Sequence, residues 1–165
     1  MTEVVYGTKE FLDKIDITDP CYDKMTWCRI NDFKISAGTY ECYTHEASNK
    51  ETNGWGKRVA RIGIRRDSAD RYVEIGSIGV DAGLAGFFNN KPDYTDSEWM
   101  KFVDRVDKGR AWIIDDGFYS ESGYGDGGYP VYAGYKNNEV VEIYIDFIEE
   151  DNEDGFEEED FEEDE

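Results

Sequence analysis

Apolar and polar residues alternate along much of the chain, which is the pattern of β-strands that bury one face. In the segment 57–66, Ala60, Ile62 and Ile64 fall on one face of a strand, and Arg61 and Arg65 fall on the other. Shorter strand-like runs occur at 14–18 and 39–44. The pattern predicts a chain built mainly from strands and turns.

Two hairpins follow from this pattern. The 57–66 strand and residues 72–80 flank a polar DSAD turn, so these two strands are predicted to pair. Residues 129–135 and 139–148 flank Asn137 and Asn138. Asparagine tolerates the positive φ that a two-residue type I′ turn requires at both central positions, which predicts a second hairpin here.

One principal helix is predicted near 95–108. Thr95 and Glu98 form a capping box at its start. The apolar residues that follow at helical spacing are Trp99, Phe102, Val103 and Val106. We therefore expect an α+β fold that is mostly antiparallel β, arranged as a sheet, roll or partly open barrel, with this helix packed on it.

The charge of the chain is concentrated at its C-terminal end. Residues 149–165 contain 13 acidic residues and no basic ones, so removing them from the net charge of −21 leaves −8 for residues 1–148. A block of like charge this dense repels itself and stays extended. We predict one β-rich domain over 1–148 and a disordered acidic tail over 149–165, in which Phe156 and Phe161 are candidate partner-binding residues.

The compartment and two partner classes also follow from composition. No apolar run approaches the roughly 18 residues of a membrane helix, and the N-terminus lacks the basic and apolar regions of a signal peptide. Three cysteines fit reduced thiols. We expect a cytoplasmic protein without a membrane partner. Nucleic acid is not expected as a direct partner, because phosphate contacts dominate such affinity and the chain is acidic.

The glycine-rich stretch SGYGDGGYPVY, at 122–132, is not a nucleotide loop. It has no lysine, a strand rather than a helix follows it, and it lacks the Gly-x-Ser-x-Gly pattern of a nucleophile elbow. Two interpretations stay open. It is either a bulge or wide turn, with Pro130 marking an edge strand, or a place where the backbone approaches a ligand. The turn is favoured because glycine and aspartate are such common turn residues.

Three stretches together resemble one known family: ITDPCY at 17–22, GVDAGLAGFF at 79–88 and SGYGDGGYPVY at 122–132. They are similar to the bacterial and phage-borne proteins grouped as domain of unknown function 4241, or to a close phage relative. The resemblance covers about residues 15–148 and leaves out the acidic tail. It implies a shared β-rich fold and a bacterial or phage source, and it supplies no activity.

Three aspartates, Asp19, Asp81 and Asp126, lie in short turns within those stretches. If the fold brings them together, they would form an acidic pocket suited to a divalent cation or to acid–base chemistry. The alternative, which we favour, is that each aspartate caps its own turn.

Cys21, Cys28, Cys42 and His45 provide the four ligands of a tetrahedral zinc site. Their spacing lacks the usual tight Cys-x2–4-Cys pair, and an offset of three along a strand would place Cys42 and His45 on opposite faces. A catalytic Cys–His pair is disfavoured further, because His45 is the single histidine of the chain and no other could act as the base. We therefore expect no metal and no cofactor.

The 57–71 region holds six of the 18 basic residues, among which Arg61, Arg65 and Arg66 are candidate ligand-binding residues. Arginine forks match phosphate oxygens, so a nucleotide-like anion is one possible ligand. Pairing with the domain's own carboxylates is the favoured alternative. A third possibility is that the acidic tail folds back over these arginines.

Together these observations predict a small non-enzymatic interaction protein, encoded by a phage or mobile element. It would bind a bacterial protein with a basic surface, helped by the acidic tail, in the host cytoplasm. The alternatives are a binder of an anionic nucleotide-like ligand and a metal-assisted enzyme using the three aspartates. The interaction protein is preferred because the sequence shows charge and aromatic residues but no nucleophile–base pair.

Overall fold

The computed structural model describes residues 1–105 and 109–148. In them the chain forms two antiparallel β-sheets, neither closed into a barrel, and one helix. The predicted fold class, mostly antiparallel β with one principal helix, is confirmed. The predicted tail over 149–165, with Phe156 and Phe161, lies outside the described residues.

The described elements follow one another as a long series of strands interrupted by the helix. In chain order they are β1 Thr2–Phe11, β2 Lys14–Thr18, β3 Ile30–Lys34, β4 Gly38–Ala47, β5 Arg58–Arg65, β6 Arg71–Val80, β7 Leu84–Phe88, α1 Asp96–Arg105, β8 Ala111–Ile114, β9 Gly117–Glu121, β10 Gly127–Lys136 and β11 Glu139–Asp146. One sheet has the order β1-β4-β5-β11-β10-β6 and the other β3-β2-β7-β9-β8. Apolar residues of both sheets form one buried core, including Ile62, Ile64, Phe87 and Phe118.

The predicted hairpin between 57–66 and 72–80 is wrong. β5 pairs with β4 and β11, whereas β6 pairs with β10. The β10–β11 hairpin therefore lies between the two strands that were expected to be neighbours. The mostly buried β11 thereby takes an interior place in the sheet, whereas β6, whose first four residues are exposed, becomes an edge strand.

The β10–β11 hairpin itself is confirmed. Asn137 and Asn138 have φ of 52° and 69°, as a type I′ turn requires. The connection between β5 and β6 passes the end of this hairpin, where the amide of Arg66 donates to the carbonyl of Val141 at 2.9 Å. This connection forms one wall of the groove described below.

Pro130 marks a strand edge only locally, because β10 as a whole has a neighbour on each side. β10 pairs with β6 from Gly127 onward, but its pairing with β11 begins only at Val131. Pro130 thus precedes the stretch that is paired on both sides. Its missing N–H removes no bond from the ladder with β11.

The helix begins at the predicted capping box. The amide of Glu98 donates to Oγ1 of Thr95 at 3.2 Å, and the amide of Thr95 donates to Oε1 of Glu98 at 3.0 Å. These bonds satisfy two amides that the first helical turn leaves without partners. No helix in the described part of the chain is long and apolar enough to cross a membrane.

The apolar stripe of the helix is narrower than predicted. Phe102 is buried and Trp99 packs beside it, against an aromatic cluster that contains Tyr119. Val103, by contrast, is 45 % exposed. One helical position turns a side chain by about 100°, which takes Val103 away from the stripe set by positions three apart. Val106 lies outside the described residues.

Candidate functional site

An open groove of about 780 Å³ lies on the outer face of the six-stranded sheet. Strands β4, β5 and β11 form its floor, and the connection between β5 and β6 forms one wall. Its charged lining residues are Glu3, Glu41, Arg61, Arg65, Arg66, Asp67 and Glu142. All three arginines predicted to bind a ligand therefore line one surface, which we call the sheet groove.

Strand register explains this collection of charge. Arg65 on β5 is flanked by Glu41 on β4 and by Glu142 on β11. Four residues earlier, Arg61 lies beside Asp146 on β11. Since alternate residues of a strand share a face, the apolar residues between them point into the core and the charged ones point outward.

Arg61 and Arg65 are already paired with carboxylates. Arg65 donates to both oxygens of Glu3, at 2.9 and 2.6 Å, and to Glu41 at 2.7 Å. Nε of Arg61 donates to Asp146 at 2.6 Å. The hydrogen bonds from Arg65 lower the pKa of Glu3 to about 2. The prediction that the arginines pair with the domain's own carboxylates is confirmed for these two residues.

Arg66 differs from the other two arginines. Its Nη1 donates to the carbonyl of Ala37 at 3.2 Å, and its side chain is exposed. Within the described residues no carboxylate lies within 4.0 Å of its guanidinium, the distance of an ion pair. Arg66 is thus a cation of the groove that has hydrogen-bonding capacity to spare.

Two tyrosines converge on a buried carboxylate at the floor of the groove. Glu142 is only 7 % exposed, and it accepts a hydrogen bond from Tyr72 at 2.6 Å and another from Tyr43. Burial and the adjacent Glu142 raise the pKa of Tyr72 to about 12 and hold that of Tyr43 well above its usual value. Both hydroxyls therefore stay protonated and donate to the carboxylate at neutral pH.

Glycines inside two strands make this convergence possible. A Cβ at Gly63 would overlap the Tyr43 ring, and a Cβ at Gly134 would lie 2.9 Å from the Tyr72 ring. Each tyrosine ring therefore passes close to a neighbouring glycine, and its hydroxyl reaches Glu142. Glycine in a strand interior signals such a close approach. It is the signal by which the sequence could have revealed a site that a search for reactive residue types missed.

A second feature is the loop between β2 and β3, residues 19–29, which we call the aromatic loop. Met25 and Trp27 in this loop are each 92 % exposed. The sequence pattern gave no sign of this, because Trp and Met are usually at least partly buried.

Asp19 ties the aromatic loop to the body of the protein. Its carboxylate is fully buried and accepts the amide of Cys21 at 2.9 Å. Its other oxygen accepts the amides of Asp81 and Ala82, at 2.8 and 2.7 Å. Asp19 caps its own turn, as predicted, and the 81–82 turn as well.

The three aspartate-containing turns do meet, but they meet through the backbone. The amide of Ser122 donates to the carbonyl of Gly83 at 3.1 Å, which joins the second turn to the third. Asp81 and Asp126 are exposed, whereas the carboxylate of Asp19 is buried. In the described residues no group of three or more His, Cys, Asp or Glu side chains is arranged to hold a metal ion.

Two buried cations also anchor the aromatic loop. Arg29 and Lys91 both donate to the carbonyl of Tyr22, at 2.9 and 3.0 Å. Arg29 forms an ion pair with buried Asp16 at 3.4 Å. Burial, reinforced by the nearby Arg29, lowers the pKa of Lys91. Such paired, hydrogen-bonded buried charges hold the base of the loop in one conformation.

The four candidate zinc ligands are divided between three environments. Cys42 belongs to the core, whereas His45 is on the outer face, 3.3 Å from Glu3. Cys21 and Cys28 lie in the aromatic loop. Burial raises the pKa values of Cys21 and Cys42 to about 12, so these thiols are poor nucleophiles at neutral pH.

The glycine-rich stretch forms a turn between β9 and β10, as the favoured interpretation predicts. Gly123 and Gly125 have φ of 64° and 109°, backbone angles that residues with a side chain rarely adopt. The carbonyl of Gly125 accepts the hydroxyls of Ser122 at 2.9 Å and Tyr129 at 2.6 Å. These bonds close the turn on itself.

Comparison with known proteins adds no functional information. No protein-family model, no curated protein and no solved structure matches the chain. The resemblance to the domain of unknown function 4241 family stays a prediction.

Proposed function

We propose that this is a non-enzymatic binding protein that recognises a protein with a basic surface. Trp27 and Met25 of the aromatic loop enter an apolar pocket of that partner, and the surrounding acidic surface matches its charge. The observation that carries the proposal is the 92 % exposure of Trp27 on a firmly anchored loop. As its sequence suggests, the protein is encoded by a phage or mobile element and acts in the bacterial cytoplasm.

Exposed apolar side chains on an anchored loop suit partner recognition. Tryptophan is among the residues most often found at the energetic centre of protein interfaces. The buried contacts of Asp19, Arg29 and Lys91 fix the backbone before binding, which reduces the entropy lost on association. A disordered loop with the same sequence would bind more weakly.

The charge around the loop favours a basic partner. Asp23, Asp81 and Asp93 are exposed near its base, whereas Lys24 lies 3.9 Å from Asp32, in ion-pair contact. The domain over 1–148 has a net charge of −8, and 13 further acidic residues follow it. A field of one sign accelerates encounter with an oppositely charged partner and penalises acidic competitors.

The two alternatives have less support. An anionic ligand at Arg61 and Arg65 would have to compete with carboxylates that already pair with them at 2.6–2.9 Å. A metal ion at Asp19 would have to displace three backbone amides from its carboxylate.

The test uses the full chain as bait in a bacterial lysate, beside Trp27→Ser and a matched Trp55→Ser control. Trp55 is 68 % exposed on another loop. The expected result is a protein retained by the parent and by the control but lost with Trp27→Ser. With that protein purified, calorimetry should show Trp27→Ser weakening the Kd about 30-fold, or about 2 kcal/mol. Equal affinity of parent and Trp27→Ser would overturn the proposal.

The tail has a separate readout. Removing 149–165 should slow association and make the affinity less sensitive to salt, because 13 acidic residues are lost. An unchanged salt dependence would confine recognition to the domain and remove the tail from the mechanism.

A further inference from the structure

We propose that the sheet groove binds a neutral oligosaccharide, a polyhydroxylated chain that lies across the outer face of the six-stranded sheet. This site is distinct from the aromatic loop and does not depend on the protein-binding function proposed above. Four properties of the groove point to this ligand class: internal charge balance, spare donors beside spare acceptors, an aromatic platform and fully paired central strands.

Most charges of the groove are paired, and within the described residues Arg66 and Glu142 are the exceptions. Arg65 forms ion pairs with Glu3 and Glu41, and Arg61 forms one with Asp146. At Arg61 and Arg65 an added phosphate would have to compete with these carboxylates, and an added cation would compete with these two arginines. A ligand without charge leaves every pair in place.

The groove nonetheless keeps unused hydrogen-bonding groups of both kinds. Arg61 donates Nε–H to Asp146 and stacks its guanidinium on the Tyr144 ring, and its remaining N–H groups make no hydrogen bond in the described part of the chain. Exposed Arg66 also has donors to spare. Each oxygen of Glu142 accepts one tyrosine hydroxyl and can accept a further bond. A hydroxyl group both donates and accepts, so a sugar can pair with the arginines and with Glu142, whereas a phosphate oxygen can only accept.

An aromatic platform adjoins these polar groups. Tyr72 lines the groove and is 50 % exposed. The neighbouring ring of Tyr144 is covered by the guanidinium of Arg61, 3.8 Å from its centroid, and by Tyr132, stacked at 5.0 Å, so the platform is the ring of Tyr72. The faces of aromatic rings carry partial negative charge and attract the positive edges of C–H groups. One face of a sugar ring presents such C–H groups, while its hydroxyls project around the rim. The platform therefore suits the C–H face of a sugar ring, and the polar groups suit its hydroxyls.

Extended peptides fit the groove less well. A peptide that binds a sheet usually adds a strand to an exposed edge. β4, β5, β11 and β10 each have neighbours on both sides, so their backbone groups are already used in the sheet. The groove is also formed before any ligand arrives, because hydrogen bonds to Glu142 hold Tyr43 and Tyr72 in place. Its volume of about 780 Å³ lies within the usual range of ligand sites.

The experiment titrates the full-length 15N-labelled protein with maltohexaose, cellohexaose and chitohexaose, with ATP and inorganic phosphate as anionic probes. At least one hexasaccharide should shift the amide resonances of Gly63 and Gly134 with a Kd of about 1 mM or tighter. ATP and phosphate should leave these resonances unchanged.

Variants connect the binding to the groove. Tyr72→Ala should weaken the Kd about tenfold through loss of the platform, whereas Tyr72→Phe keeps the ring and should bind within about twofold of the parent. Tyr124→Ala, at a tyrosine that is 52 % exposed on another loop, is the matched control. If Tyr72→Ala does not fold, exposed Arg66→Gln serves instead and should weaken binding about threefold.

Three outcomes would overturn the proposal. The first is that none of the three hexasaccharides shifts the groove resonances at about 10 mM. The second is that binding is unaffected by Tyr72→Ala or Arg66→Gln. The third is that ATP or phosphate binds in the groove and loses affinity in Arg61→Gln, which would assign the site to an anion.

Discussion

The hydroxyl of Tyr72 lies 2.6 Å from Oε1 of Glu142, although β10 separates the strands that carry these two residues. The contact is possible because Gly134 on β10 has no side chain in the way. Together with the bond from Tyr43, it makes Glu142 the point where side chains of three strands, β4, β6 and β11, are joined.

Loss of the Glu142 carboxylate should destabilise the fold. Glu142→Gln leaves one tyrosine hydroxyl facing an amide NH2 group, and we expect the free energy of unfolding to fall by about 1–3 kcal/mol. Urea denaturation measures the change, with Glu74→Gln on the exposed edge strand as a control expected within about 0.5 kcal/mol. Tyr43→Phe should cost more than Tyr72→Phe because Tyr43 is fully buried. Equal losses at the two sites would contradict this account.

Alkaline pH should weaken the protein through its tyrosines. Burial raises the pKa of Tyr72, and that of Tyr40, from 10.0 to about 12 in the folded state. Between these values the unfolded chain has released protons that the folded chain retains, so stability is fully present below pH 10 and is lost as the pH rises toward 12. The urea midpoint, followed across this range, should fall less steeply in Tyr72→Phe than in the parent. Identical slopes would show that Tyr72 does not contribute.

Acid should weaken the Glu3–Arg65 pair. The pKa of Glu3 is lowered from 4.5 to about 2, so the contribution of the pair is present above 4.5 and is lost as the pH falls toward 2. Because Glu3 is 40 % exposed, we expect the contribution to be below about 1 kcal/mol. An NMR titration of the Glu3 carboxyl carbon checks the pKa, and Arg65→Gln should return it toward its ordinary value. A pKa near 4.5 for Glu3 in the parent protein would show that the ion pair with Arg65 does not form in solution.

The close approach at Gly63 predicts a strong penalty for one methyl group. Gly63→Ala should lower the free energy of unfolding by about 1–3 kcal/mol or more, because the Tyr43 ring has to move. Gly128→Ala is the matched control, since an added Cβ there has its nearest neighbour at 4.0 Å. Thermal denaturation of both variants separates the steric effect from the general effect of replacing a strand glycine. Similar losses of stability in the two variants would show that the contact with the Tyr43 ring is not the cause.

Asp19 should behave as a structural residue. Asp19→Asn weakens the bonds to three amides and should cost about 1.5–3 kcal/mol, whereas exposed Asp126→Asn should stay within about 0.5 kcal/mol. Addition of Mg²⁺ or Ca²⁺ should leave the Tm of the parent unchanged. A metal-dependent rise in Tm that disappears in Asp19→Asn would instead support the metal-assisted alternative.

Local chemistry determined what could be read from the sequence. The paired asparagines at 137–138 and the capping box at Thr95 act through neighbouring backbone groups, so their residue types are sufficient evidence. The outward position of Arg61 and Arg65 follows in the same way from the two-residue period of a strand.

The choice of strand partners and the composition of the site could not be read in this way. β5 and β6 are neighbours in sequence, yet the β10–β11 hairpin lies between them, because strand pairing depends on burial across the whole sheet and not on sequence adjacency. Tyr43 and Glu142 are 99 residues apart and meet only through this register. The exposure of Trp27 depends on how distant segments of the described chain pack around it, and a local sequence pattern contains no information about such packing.

β11 is the last strand of the described chain, yet it lies inside the six-stranded sheet, between β5 and β10. During synthesis the facing edges of β5 and β10 therefore stay unpaired until this segment has left the ribosome. A product that ends before β11 would expose two unpaired edges and would tend to aggregate or be degraded. Because Glu142 also belongs to β11, the groove is assembled only after β11 has been synthesised, and a product that ends before it lacks the carboxylate on which Tyr43 and Tyr72 converge.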